Sequence, residues 1–172
     1  PFLLYVALLG VLPQMEPDEV RYSLIAAAMN ETGNYVTPQI KNTIYLEKPP
    51  LVSWATAASF KIFGENDFSA RLFSGLCAWG CILLVFWIGR RFRDEKTGLY
   101  AAAVLTISVF PFMLGRINIL DMPLTLFLCL AIWLGYLSLA DEKKRWLACG
   151  FYFACALAFL TKGIVGVVFP FA

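Results

Sequence analysis

The sequence predicts an all-α integral membrane protein: a multi-span helical bundle with an outer loop of two interfacial helices. Three observations predict it. Of the 172 residues 60% are apolar, with a mean hydropathy of +0.71, well above ordinary globular composition. Apolar stretches recur near the length that crosses a bilayer, about 20 residues for roughly 30 Å of hydrocarbon. Charged residues gather in the segments between those stretches.

Residues 1–12 are apolar but too short to span, and are expected to be the remainder of a span. Residues 13–67 form a more polar loop. Within it Asp18 to Met29 read as a helix, with acids in the first turn where the helix dipole favours them, stopped by Gly33. Residues 38–45 read as extended or turning. Pro50 suits the first turn of a second helix, which runs to about Phe63 and ends at Gly64. Its Leu51, Trp54, Ala55, Ala58 and Ile62 fall on one apolar stripe at helical spacing, so both helices are expected to lie along the membrane surface. Spans are expected at 68–88, 97–114, 120–139 and 146–160, with part of another at 163–172.

Charge bias orients these spans. Arg90-Arg91-Phe92-Arg93-Asp94-Glu95-Lys96 and Asp141-Glu142-Lys143-Lys144-Arg145 are short, basic connections, and such connections concentrate on the cytoplasmic side. Two spans separate them, so they lie on one side, as the rule requires. Counting spans then places loop 13–67, the link at 115–121 and residues 161–163 outside. Asp18, Glu19, Arg21, Glu47, Lys48, Arg116, Asp121 and Lys162 are therefore expected on one face.

Composition also excludes. The chain has no His, which removes His bases and His metal ligands from this segment. A net charge of +2 gives no argument for nucleic acid. The five cysteines all fall in expected spans, where they read as small core residues. Cys77 and Cys81 share a helix face, without the His or Cys neighbours of a metal site.

The charged clusters carry the chemistry. Asp18-Glu19-Val20-Arg21-Tyr22 puts a carboxylate beside an Arg whose fork fits phosphate oxygens; the plainer reading is an acidic helix start with an interfacial Tyr. Tyr45-Leu46-Glu47-Lys48-Pro49-Pro50 offers Lys48 to a phosphate headgroup, or is an exposed ion pair before a Pro-started helix. Glu47 could bind a metal, position a hydroxyl or pair with Lys48. Asp121, in Arg116-Ile117-Asn118-Ile119-Leu120-Asp121-Met122-Pro123, either caps a helix or acts at the boundary. Lys162 either snorkels or binds phosphate. Together these residues suit a phosphorylated lipid substrate, with its phosphate at headgroup depth and its tail between helices.

The same motifs carry a resemblance. With Gly33-Asn34-Tyr35-Val36-Thr37-Pro38, Phe68-Ser69-Ala70-Arg71-Leu72 and Leu160-Thr161-Lys162-Gly163, in this order over nearly the whole chain, the sequence resembles the membrane glycosyltransferases related to protein O-mannosyltransferases and to the aminoarabinose transferases of lipid A. The resemblance implies a GT-C-type bundle, of which residues 1–172 are the N-terminal part of one catalytic module. It implies an inverting transfer of a sugar from a polyprenyl-phosphate donor, usually undecaprenyl phosphate, at the periplasmic face of a bacterial inner membrane. The acceptor would be a lipid A-like lipid, a glycan or a protein. Asp18 would be the leading catalytic carboxylate and Asp121 a second acid. Arg21 and Lys48, with Lys162, would hold the donor phosphate, and Glu19, Tyr22, Tyr45 and Arg116 would position substrate. Glu47 matches a metal-contacting position, so a divalent metal is the one cofactor expected. The rival reading is a transporter or flippase of an anionic lipid-linked substrate. Transporters place polar residues near the midplane and break helices there, whereas the charges here gather at the expected outer face.

Overall fold

The computed structural model describes residues 2–7, 9–11, 13–15, 17–40, 43–141 and 144–171. The expectation for residues 1–12 thus falls partly outside the described residues, and is met within them by the short helix α1 (Phe2–Val6). In the loop, α2 (Asp18–Thr32) ends at Gly33, whose φ of 70° lets its N–H reach the Met29 carbonyl, a left-handed stop that glycine adopts at no steric cost. A two-stranded antiparallel ribbon follows, β1 (Gln39–Ile40) with β2 (Thr43–Ile44). Pro50 then occupies the N-cap of α3 (Leu51–Phe63), which stops at Gly64.

The bundle begins with α4 (Asp67–Phe92), opened by a reciprocal cap: the Asn66 side chain accepts from the Ser69 N–H and the Asn66 N–H donates to Ser69 Oγ. There follow α5 (Glu95–Ile107), α6 (Val109–Leu114), α7 (Asp121–Ala140), α8 (Leu147–Lys162) and α9 (Val165–Phe171). Two of these, α4 and α7, are long and apolar enough to cross a membrane; α8 is apolar but shorter.

One expected span is not a single helix. Residues 97–114 break at Ser108, whose ψ of 127° is extended. Pro111 lacks the N–H that would bond to Ile107, and its ring collides with that carbonyl, so α5 ends there. Breaking a helix strands carbonyls that lipid cannot satisfy. Here the Tyr5 hydroxyl donates to the Thr106 carbonyl at 3.3 Å.

Three clusters hold the layers, the smallest being Ala131, Ala154 and Cys155 between α7 and α8. Tyr22, Ile25, Met29, Val52, Phe60, Ala70 and Leu120 join α2, α3 and the start of α4. Tyr5, Cys77, Ala78, Cys81, Ile82, Ala102 and Met122 join α1, α4, α5 and α7. The buried face of α3 carries Ser53, Thr56, Ala57 and Ser59, small groups that allow close packing on α2. Its apolar stripe turns outward, with Trp54, Ala58 and Ile62 exposed, as suits a helix lying against lipid. The cysteines depart from expectation: Cys77, Cys81 and Cys155 are buried, but Cys129 and Cys149 are exposed. A span surface that meets lipid tolerates a small apolar thiol outside as readily as inside. Where α4 and α5 cross, a Cβ on Gly98 would lie 2.5 Å from the Phe86 carbonyl, so the approach requires glycine.

The bundle's two ends differ in kind. The starts of α2, α3, α4 and α7 and the end of α8 come together at one end, through the bonds described below. At the other, the last turn of α4 meets α7, with Phe92 against Trp133 and Tyr136 at ring separations of 5.7 and 5.2 Å.

Candidate active site

Four segments converge at the first end, and a buried ion pair is their hub. Consecutive helix residues diverge by about 100°, so Asp18 and Glu19 of α2 face different surroundings. Glu19 turns inward and is 1% exposed; Arg71, one turn into α4, is 3% exposed. Arg71 Nε donates to Glu19 Oε1 at 2.5 Å and Nη2 to Oε2 at 2.9 Å, a fork-on-fork pair. The Met15 N–H reaches Oε2 at 2.8 Å and the Asn118 N–H reaches Oε1 at 3.0 Å. Arg71 also donates to the carbonyls of Leu9 and Pro13. Burial works to raise the Glu19 pKa, but the hydrogen bonds from Arg71, Met15 and Asn118 and the Arg71 charge outweigh it, leaving the carboxyl below its ordinary value.

Asp18 faces outward and pairs with Arg21 at 3.0 Å, both partly exposed. No side-chain cap opens α2, so the Asp18 carboxylate is spent on Arg21 and not on the backbone. Arg21 and Glu47 both bear on Tyr45, whose pKa is raised by burial first and then by Glu47. The neighbouring Tyr22 is raised further, again chiefly by burial, with Tyr45 and Asp18 adding to it. Both phenols therefore stay protonated and available as donors. The Tyr45 hydroxyl oxygen is buried and makes no hydrogen bond of regular geometry. A buried hydroxyl set between Arg21 and Glu47 without a well-formed bond to either fits a site that a polar ligand completes.

Beside this group lies a cleft of about 390 Å³ lined by Glu47, Lys48, Pro49, Pro50, Lys162 and Gly163. The Pro-Pro turn supplies one wall and the end of α8 the other. Gly163 terminates α8 with φ 72° and ψ −139°. Lys162 Nζ reaches Asp121 Oδ1 at 2.6 Å. Asp121 is the first residue of α7, where a negative charge suits the helix dipole, but its carboxylate is not a cap. Lys48 is exposed and takes part in none of the four ion pairs found among the described residues. Glu47 contributes no pair to Lys48 either.

The structure thus brings together Asp18, Arg21, Tyr22, Tyr45 and Glu47 in one group, and Glu47, Lys48, Lys162 and Asp121 in an adjoining one. It sets two expected residues apart. Glu19 is sealed in the protein interior rather than exposed to the cleft. Arg116 stands over the Phe112 ring at 5.2 Å and donates to the Leu4 carbonyl; it lines a separate, largely apolar cavity with Leu9, Met15 and Arg71. Among the described residues no three acidic, Cys or His side chains gather as a metal set. Glu47 alone does not make a metal centre, and no step is assigned to a metal. Sequence reasoning gave no role to Arg71 or Asn118. An arginine just inside an apolar span, which lipid would not tolerate unpaired, was the available signal for Arg71.

The architecture is a GT-C-type helical bundle. Residues 47–172 match the family described as dolichyl-phosphate-mannose-protein mannosyltransferase, and the chain belongs to that family. Over 172 aligned residues it is 33% identical to an undecaprenyl phosphate-alpha-4-amino-4-deoxy-L-arabinose arabinosyl transferase of Shewanella sediminis, covering 98% of this chain and 31% of that protein. Its fold superposes on the crystal structure of ArnT from Cupriavidus metallidurans in the apo state, with a TM-score of 0.93 and 25% identity, covering 98% of this chain and 32% of that one. The same protein bound to undecaprenyl phosphate gives 0.91 at 25% identity, over 96% and 31%. The chain spans about a third of the length of these relatives.

Proposed function

We propose that this chain forms part of the catalytic face of a glycosyltransferase that moves a sugar from a polyprenyl-phosphate donor to an acceptor, with inversion. The observation that carries the reading is the cleft itself: Lys48 and Lys162 on opposite walls with Glu47, and Arg21, Asp18, Asp121 and the buried Tyr45 hydroxyl alongside. The acceptor oxygen attacks the anomeric carbon from the side opposite the phosphate. The carbon–oxygen bond to the phosphate breaks, and its electron pair leaves with the polyprenyl phosphate. Lys48, Lys162 and Arg21 meet the charge that develops there. Where the acceptor is a hydroxyl, Asp18 receives its proton; where it is an ionised phosphate, Asp18 positions it. Asp121 holds Lys162 toward the leaving group. Tyr45, set between Arg21 and Glu47, turns its O–H to the phosphate.

Support for an undecaprenyl-phosphate-linked donor comes from the names of the relatives. The acceptor class stays open in this reading to a lipid, a glycan or a protein. In the same reading the protein lies in the bacterial inner membrane with the cleft on the periplasmic side. Cysteines introduced at Glu65, in the link before α4, and at Arg93, after it, test that placement. Impermeant reagent should label the first from outside and the second only after permeabilisation; the reverse pattern would overturn the orientation. A broken helix such as α5–α6 is a feature transporters share, but residues 97–114 carry no charge to line a path.

The reading is tested with the full-length protein in lipid nanodiscs, supplied with undecaprenyl-phosphate-linked sugar. Asp18→Asn should abolish transfer while the protein still inserts and binds undecaprenyl phosphate. Transfer at the wild-type rate would remove Asp18 as a catalytic group, and sugar-lipid translocation without transfer would favour the transporter.

A further inference from the structure

Glu19 and Arg71 do not line the cleft, yet both segments that bear its carboxylates are bonded to them. Glu19 follows Asp18 directly. Its Oε1 holds the N–H of Asn118, three residues before Asp121. From Asn118 the network continues: Nδ2 donates to Ser23 Oγ at 3.3 Å and Oδ1 accepts from Thr56 Oγ1 at 3.4 Å. The link between α6 and α7 has only short-range backbone bonds of its own, such as Ile119 N–H to Ile117 carbonyl. Ser74 Oγ on α4, which donates to the Ile119 carbonyl, and Arg116, which donates to the Leu4 carbonyl, also tether this link, but its side-chain hydrogen bonds to α2 and α3 run through Asn118.

Glu19 accepts four hydrogen bonds, which fills the capacity of a carboxylate and leaves none for a substrate. Its orientation is fixed from three sides, by α4, by the 118 amide and by the chain before α2. A buried ion pair is a poor source of stability, since apolar residues of similar volume often do as well. What apolar residues lack is direction.

We infer that Glu19 is a positioning residue for sugar transfer: with Arg71 and Asn118 it fixes the separation between Asp18 and Asp121. The inference rests on the transferase reading above. Neither Glu19 nor Arg71 touches the reacting groups. They set where α2 and the 115–120 link stand relative to each other, and so the distance across which the two acids and their paired cations work.

The test uses the full-length protein in nanodiscs. Glu19→Asp keeps the charge but withdraws the carboxylate by one methylene, so it cannot hold Arg71 and the Asn118 amide together. Displacements of about 1 Å cost on the order of 10²-fold in rate, and kcat per folded enzyme should fall by that order, with KM for the lipid-phosphate donor unchanged. A purely structural role leaves kcat per folded enzyme at the wild-type level, and that result overturns the inference. Should Glu19→Asp fail to fold, the paired change Glu19→Leu with Arg71→Met fills the same space without direction. Its kcat should fall likewise, and a wild-type kcat again overturns the inference. A second readout needs no turnover. Spin labels at the exposed positions Leu24 and Thr125, with the native cysteines of the full-length protein replaced, should report a narrow distance distribution that broadens in Glu19→Asp; an unchanged distribution is fatal to the idea. A wild-type protein that moves no sugar would defeat the transferase reading alone, since the distance measurement still decides this one.

Discussion

Lys162 Nζ lies 2.6 Å from Asp121 Oδ1, tying the last residue of α8 to the first of α7 at the wall of the cleft. Both side chains are about two-fifths exposed, and ion pairs in such settings contribute at most about 1 kcal/mol. Lys162→Met is therefore expected to move the thermal midpoint little. Losing a charge-assisted hydrogen bond to phosphate, about 1.5–3 kcal/mol, should weaken binding of undecaprenyl phosphate by roughly ten-fold or more. Isothermal titration beside a thermal melt checks both halves; unchanged affinity would take Lys162 out of the phosphate site.

Arg71→Met should behave in the opposite way. It leaves Glu19 buried without its cation, and breaking a buried pair from one side costs about 3–5 kcal/mol. A melt in detergent measures the loss, and a change of under about 1 kcal/mol would contradict the burial described here.

The same pair sets an acid limit. Glu19 titrates below its ordinary value when folded, so the unfolded chain binds the proton first as pH falls. Stability from this group is therefore complete above the unfolded value, about 4.3, and is lost as pH drops through the lowered folded value. Melts from pH 6 downward should show this loss in the wild type. In Glu19→Gln the corresponding slope should be shallower, and an equal slope in both would assign the acid sensitivity to other carboxyls.

Tyr45→Phe separates stability from binding. The hydroxyl is buried beside Arg21 and Glu47 without a well-formed bond to either, so removing it forfeits little and the ligand-free variant should melt near the wild-type temperature. Its stabilisation by added undecaprenyl phosphate should shrink. Equal stabilisation in both proteins would show that the hydroxyl meets no ligand.

Gly98→Val probes the crossing of α4 and α5. A Cβ there meets the Phe86 carbonyl at 2.5 Å and the Arg90 nitrogen at 2.9 Å. Overpacking of this sort costs about 1–3 kcal/mol. Transfer activity per folded molecule should persist, because the crossing lies toward the end of the bundle away from the cleft.

The parts of this fold that the sequence disclosed are those written in single residues or long runs. Gly33 and Gly64 stop helices by backbone freedom, and the apolar runs of α4 and α7 are long enough to be unambiguous. The break at Ser108 went unread because hydropathy sums side chains and is blind to a missing N–H at Pro111. For the candidate site, residue types at the boundary were enough to single out Asp18, Arg21, Lys48 and Lys162 as candidates. They were not enough to separate Asp18 from Glu19, whose surroundings diverge through one step of helical rotation. Arg116 was grouped with the other cations by membrane side alone, and the side of a membrane does not specify a position around the bundle. The partnership of Glu19 with Arg71 joins residues 52 positions apart, a distance over which no local pattern in one sequence can report.

Gly163 stands beside the cleft cation with φ 72° and ψ −139°, and a Cβ there would have open space, with Pro49 no closer than 4.0 Å. The barrier to substitution is torsional rather than steric, because only glycine occupies that region of backbone space cheaply. Selection at this position would therefore act on the path of the chain and not on contact with a ligand. A survey of tolerated variants would show an intolerant residue next to Lys162 that touches no substrate, and intolerance there would be a poor guide to where the sugar binds.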